Sequence, residues 1–159
     1  MNQETVKKLF TYKDGNLYWA MKPSYKINIG DLAGSLRSTG YVAVMVDGKY
    51  YKNHRLIFLW NYGFLPKYID HINGNPADNR IENLRAASLS QNQFNRKKSS
   101  TSTTGCKNVF FNKKDKKWVV KIRVNGTRKH LGTFSNLELA DLVATEARDL
   151  YHKEFANHG

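Results

Sequence analysis

The 159-residue chain contains one cysteine, Cys106, and three prolines. A single thiol cannot close an internal disulfide or supply a structural zinc site of the multi-cysteine kind. Any metal must therefore be held by oxygen and imidazole ligands. No run of 18 apolar residues exists, so no segment reads as a membrane span. The first residues, with Glu4 among them and no apolar stretch after Lys7 and Lys8, do not read as a signal peptide. The expectation is a soluble, cytoplasmic protein without a membrane partner. Acid is also scarce, with 13 Asp+Glu against 26 Lys+Arg. Apolar residues are not: 40% of the chain, with 13% aromatics, suffices for one ordinary core or two small ones.

The formal charge of +13 is unevenly spread. Residues 1–49 carry 7 basic and 4 acidic side chains, residues 50–95 carry 5 and 3, residues 96–134 carry 12 and 1, and residues 135–159 carry 2 and 5. Because a partner responds to the local field, the basic 39-residue stretch matters more than the total. It alternates with apolar residues and ends before an acidic helix, which implies one positive face and a nucleic-acid partner.

Four segments follow, in an α+β chain. Residues 1–49 read as β-rich, with Tyr41–Val46 and Lys49–Lys52 flanking an Asp47-Gly48 hairpin turn. Residues 50–95 begin with a short apolar helix, His54–Asn61, capped by Asn53 and ended by Gly63 and Pro66. A turn-rich loop, a strand at Leu84–Ala87 and a helix with a Ser88/Gln91 capping box come next. Residues 96–104 have no apolar side chain to bury and read as a flexible basic linker whose Lys97 and Lys98 can follow a phosphate backbone. Residues 105–159 read as three antiparallel strands, two of them joined by Asn125-Gly126, packed on one helix capped by Ser135 with Glu138.

The stretch Tyr68–Asn95 carries the chemistry. Phosphodiester hydrolysis needs a water, an acceptor for its proton, and positive charge at the phosphate oxygens. His71 can take the proton. Asp70 and the amide oxygen of Asn92 are hard oxygen donors suited to Mg²⁺ or Mn²⁺. Neighbours on a strand point to opposite sides, so Asp70 and His71 share a site only if the strand breaks, and Asn73-Gly74 supplies a break. An Asn twelve residues after His71 and another nine later complete the pattern. It resembles the HNH endonuclease family, in the phage and intron homing-endonuclease branch with Asn at the last position. The resemblance spans His54-Arg55-Leu56, Gly63-x-Leu65-Pro66, Ile69–Gly74, Asp78–Arg85 and Asn92. It implies a ββα-metal fold with His71 as general base, Asp70 and Asn92 as metal ligands, and Asn83 holding the loop and orienting His71 by a hydrogen bond. Expression from a phage would place the protein in host cytoplasm. His54 and Arg55 are candidates for a supporting or phosphate-contacting role, with helix packing the alternative for His54.

In the last segment, alternation sets Trp118, Val120, Ile122 and Val124 on one face and Lys121 and Arg123 on the other, with Arg128 and His130 sharing a side of the next strand. Such a sheet can lie in the DNA major groove. Gly105-x-x-x-Val109, Lys117-Trp118-x-x-x-Ile122 and Leu131-Gly132-x-Phe134 resemble the Apetala-type (ethylene-response-factor) DNA-binding domain. Asn108 and Phe110 depart from it, where Gly and a base-contacting Arg are usual. Phe110 can instead stack or meet a thymine methyl, and Lys107 joins the expected contacts. Trp118, Phe111 and Phe134 read as core.

The leading function is a metal-dependent endonuclease on double-stranded DNA, nicking to leave 5′-phosphate and 3′-hydroxyl ends, as a monomer or weak dimer with no small-molecule cofactor. The alternatives are a non-catalytic sequence-specific DNA-binding regulator and, third, an RNA binder.

Overall fold

Two-residue Asp-Gly and Asn-Gly turns set much of the strand pairing, in a computed structural model that describes residues 1–96, 98 and 104–159. The described residues form two units, Met1–Ala87 and Ser88–Gly159. The division lies ahead of the expected linker, so the helix bearing Asn92 goes with the second unit. Lys97 and residues 99–103 of that linker lie outside the described residues.

The first unit opens with α1 (Gln3–Leu9), a helix that the sequence pattern did not predict. Only Val6 of its seven residues is buried, too few apolar positions for a periodic signal, yet Asn2 caps it by accepting from Thr5 N at 2.9 Å. Strands β1 (Phe10–Lys13) and β2 (Asn16–Trp19) pair antiparallel through Asp14-Gly15, both at positive φ. Next come β3 (Ser35–Leu36), β4 (Val42–Val46) and β5 (Lys49–Lys52), a three-stranded antiparallel sheet with the expected Asp47-Gly48 turn.

Helix α2 (Asn53–Tyr62) follows directly. Asn53 is its first residue rather than its cap; its buried side chain donates to Ala33 O at 2.7 Å and so ties the helix to the preceding loop. Gly63, at φ 77°, ends it as expected. Strands β6 (Tyr68–His71) and β7 (Leu84–Ala87) pair antiparallel and close the unit. Its core gathers Phe10, Leu17, Trp19, Val44, Ile57 and Leu84 from nearly every element.

The second unit begins with α3 (Leu89–Phe94), whose Ser88/Gln91 capping box is formed. Strands β8 (Val109–Asn112), β9 (Lys117–Val124) and β10 (Thr127–Phe134) make an antiparallel sheet with β9 central. Helix α4 (Leu137–His152) packs on it through Ala140 and Ala144 against Val109 and Val120. Asn136, not Ser135, caps α4, accepting from Leu139 N at 3.1 Å. That shift of one position leaves Glu138 outside capping-box spacing. Phe111 is 43% exposed, beside Trp118 with ring centroids 4.6 Å apart, rather than in the core. Asn108 takes φ 69°, the left-handed conformation that glycine would adopt freely, which accounts for Asn at this place.

Candidate active site

His71 ends β6 and is buried, as are Asp70 beside it and His54 on α2. Burial of three polar side chains so close together requires specific partners. Asp70 faces Arg85 directly across the β6–β7 pair, and Arg85 places both Nε and Nη2 2.8 Å from Asp70 Oδ2. Arg85 was given no role from the sequence, where it lay in the strand Leu84–Ala87 and at the end of the matching motif.

His71 Nε2 lies 3.0 Å from Asn79 Oδ1. An amide oxygen can only accept, so this contact requires the proton on Nε2, and a ring that bears one proton then has its lone pair on Nδ1. Asn79 is 3% exposed. This corrects the expectation for Asn83, whose side chain does not orient His71. Asn83 Oδ1 accepts from Asn73 N at 3.0 Å, and its amide donates to Asn73 Oδ1 at 3.0 Å and to Asp78 O at 2.7 Å. Both its donors are used in the loop, four residues beyond Asn79. The clue in the sequence was another Asn in the same loop, eight residues after His71.

The loop between β6 and β7 is held by its own polar side chains. Gly74 N donates to His71 O at 2.8 Å, which turns the chain immediately after the histidine. Asn73 Nδ2 donates to Asp78 Oδ2 at 2.7 Å, and Arg80 Nε donates to Asp78 Oδ1 at 2.9 Å. That Arg80 hydrogen bond holds the Asp78 carboxyl well below the usual carboxylate range. Tyr12 OH accepts from Ile81 N at 3.0 Å and fastens the loop to β1.

Behind His71 lies an aromatic wall. The His54 ring meets His71 edge-on with centroids 5.0 Å apart, and Tyr41 stands 5.3 Å from His54 and 6.1 Å from His71. Among the described residues His54 Nδ1 is buried without a hydrogen-bond partner. Burial, then the electrostatic influence of His71, Lys52 and Arg55, lowers the His54 pKa to about 3, so the His54 ring is neutral at physiological pH. Arg55 donates to the carbonyls of Lys67 and Pro66 at 3.3 and 3.4 Å, which anchors the segment leading into β6.

Among the described residues no group of three or more His, Cys, Asp or Glu side chains is placed to hold a metal ion. The expected pair, a carboxylate and the amide oxygen of Asn92, is a smaller and harder donor set than that. Its chemistry suits Mg²⁺ or Mn²⁺, which keep waters and take phosphate oxygens. Asn92 sits half-buried in α3 of the second unit.

In the second unit Arg123 faces Arg128 and Lys121 faces His130 across β9 and β10. Among the described residues no carboxylate pairs with any of the four. Phe110 is 51% exposed on β8. Lys107, expected on DNA, is engaged inside the unit: its ammonium donates to the carbonyls of Phe94 and Asn157, each at 2.9 Å, and to that of Arg96. Burial, then Arg148, lowers its pKa to about 8. Lys98 Nζ donates to Gly105 O at 2.9 Å.

The HNH endonuclease family model matches residues 51–94, the span that contains His54, Asp70, His71, Asn79, Asn83 and Asn92. No solved structure matches the chain. Protein 3.8 of Escherichia phage T7 is 32% identical over 96 residues, 59% of this chain and 78% of that protein. The chain belongs to the phage family that includes Protein 3.8, and residues 51–94 form its HNH endonuclease domain.

Proposed function

We propose that the chain is a metal-dependent endonuclease of the homing type that nicks double-stranded DNA. The observation that carries this reading is the His71 ring, buried, fixed by Asn79 and adjacent to a carboxylate, within the HNH match. Nδ1 of His71 takes a proton from a water as that water attacks phosphorus. The bond from phosphorus to the 3′ oxygen then breaks, which leaves 5′-phosphate and 3′-hydroxyl ends. Asn79 keeps the imidazole in the tautomer that can accept. Asn83 holds the loop behind it, and Arg85 fixes the rotamer of Asp70. Asp70 and Asn92 would hold a divalent cation, which supplies positive charge to the phosphate oxygens when bound. In this reading β6, β7 and α3 are the ββα-metal core.

The second unit supplies affinity, as an Apetala-type DNA-binding domain. Like charges directly opposite each other weaken a sheet, so Arg123 against Arg128, with Lys121 beside them, favours a polyanion on that face. Phe110 offers an apolar surface beside them. Monomer or weak dimer, a single active site per chain makes a nick the first product.

His71→Ala is expected to abolish Mg²⁺-dependent relaxation of supercoiled plasmid while retention of duplex DNA in a shift assay stays near wild type. Undiminished nicking would remove His71 from the reaction, and a wild-type protein that never cuts, with or without chelator, would favour a regulator.

A further inference from the structure

The outer face of the β3–β4–β5 sheet presents a set of side chains that the catalytic reading leaves without a role. Register places Met45 opposite Tyr50, and Lys52 two residues beyond Tyr50 shares its face. Met45 is 49% exposed and Tyr50 57%. Tyr51 turns the other way and packs on the core. The turn Arg37–Tyr41, closed by Arg37 N donating to Tyr41 O at 2.9 Å, folds Arg37 over this face. Its guanidinium lies 4.3 Å from the centre of the Tyr50 ring, and Lys52 Nζ lies 4.0 Å from that of Tyr41.

Both cations are exposed, and among the described residues neither pairs with a carboxylate. Each therefore keeps its charge for a partner while a tyrosine face holds its position. Stacking of this kind reduces the side-chain freedom that binding must remove. The patch is also continuous with the candidate base, since Tyr41 beneath Lys52 touches both His54 and His71.

We propose that this face is a second DNA-contacting surface, on which Arg37 and Lys52 hold backbone phosphates of duplex DNA next to the cleavage position, with Tyr50 and Met45 between them. It rests on the reading that the chain acts on duplex DNA. It gives the N-terminal segment a function in the enzyme: to lead the duplex toward His71.

The test is binding of a 30-base-pair duplex to the full chain in EDTA, followed by fluorescence anisotropy across about 50 to 200 mM salt. Arg37→Gln with Lys52→Met removes both charges and keeps the side-chain stems on the tyrosine rings. The slope of log affinity against log salt should become shallower by about 1.8, or about 0.9 for each phosphate no longer neutralised. Lys49→Ala, on the opposite face of β5, should leave the slope unchanged. The proposal is overturned by an unchanged slope in the double variant, by equal flattening in Lys49→Ala, or by duplex RNA competing as well as DNA. Chelator-sensitive nicking by wild type, measured in parallel, separates the two readings. Cutting with an unchanged slope overturns this surface alone, whereas a flattened slope without cutting supports the surface and removes the nuclease.

Discussion

In the proposed reaction His71 accepts a proton at Nδ1, so its other ring nitrogen must carry one. The Asn79 amide oxygen, 3.0 Å from Nε2, can only accept and so places the proton there. Asn79→Ala should reduce the nicking rate about 10- to 100-fold, part of the 10²- to 10⁴-fold a positioned base contributes, with little change in KM. Initial rates over a range of plasmid concentrations would show this, and a rate equal to wild type would mean that the ring is oriented without Asn79. Gly15 acts through space rather than chemistry. It has φ 82°, and a Cβ there would stand 2.8 Å from Arg80 N, at the loop that carries Asn79. Gly15→Ala should cost clearly more than the ~1–2 kcal/mol of a left-handed alanine, whereas Gly48→Ala, with φ 74° and nothing within 4 Å, should cost only that. Urea midpoints of the two variants make the comparison, and equal losses would show that the loop simply moves aside.

Helix α2 brings an ionisable ring into the core and leaves it neutral. The pKa of His54 is about 3 in the fold against about 6.5 unfolded, so the unfolded chain binds a proton that the folded chain refuses. This stability is whole above pH 6.5 and is lost as the pH falls toward 3, at up to about 1.4 kcal/mol per unit. Urea unfolding at pH 7.5, 6 and 5 should show the decline, and His54→Gln should flatten it. A Gln variant that declines as steeply as wild type would assign the acid sensitivity elsewhere. The paired strands show a different dependence. The sheet β8–β9–β10 places Arg123 opposite Arg128, an arrangement local propensity would not choose. Its apolar side is conventional, with Val120 packed against Ala140 and Ala144 of α4 and Ile122 buried.

Over the whole chain, 12 of the 26 basic side chains fall within residues 96–134 with a single acid among them. Lys107 is withdrawn from that total by the three carbonyls that hold it, whereas Arg123 on β9 and Arg128 and Lys129 on β10 are exposed. Replacing Lys121 and Arg123 by Ala should lower the salt slope for duplex DNA by up to about 1.8. Retention of the full slope would mean that this face meets something other than the phosphate backbone. No helix among the described residues is long and apolar enough to cross a membrane.

Much of the chain was readable from residues that act on their immediate neighbours. Asp47-Gly48 and Asn125-Gly126 tolerate positive φ and make hairpins wherever strand-forming residues flank them. Ser88 and Gln91 lie three positions apart and cap a helix without outside help. The spacing of Asp70, His71, Asn83 and Asn92 marked the nuclease segment in the same way. Partners distant in sequence were a different matter. Arg85 meets Asp70 only because one register of β6 on β7 places them opposite each other. Asn79, not Asn83, reaches His71 because the loop curls through Asn73 and Asp78. Tyr41 from the turn before β4 and His54 from α2 close around His71, and desolvation by that packing, rather than any local sequence, makes His54 neutral. Turns and caps depend on energies within a few residues, while hydrogen-bond choice and burial depend on which distant backbone closes the cavity.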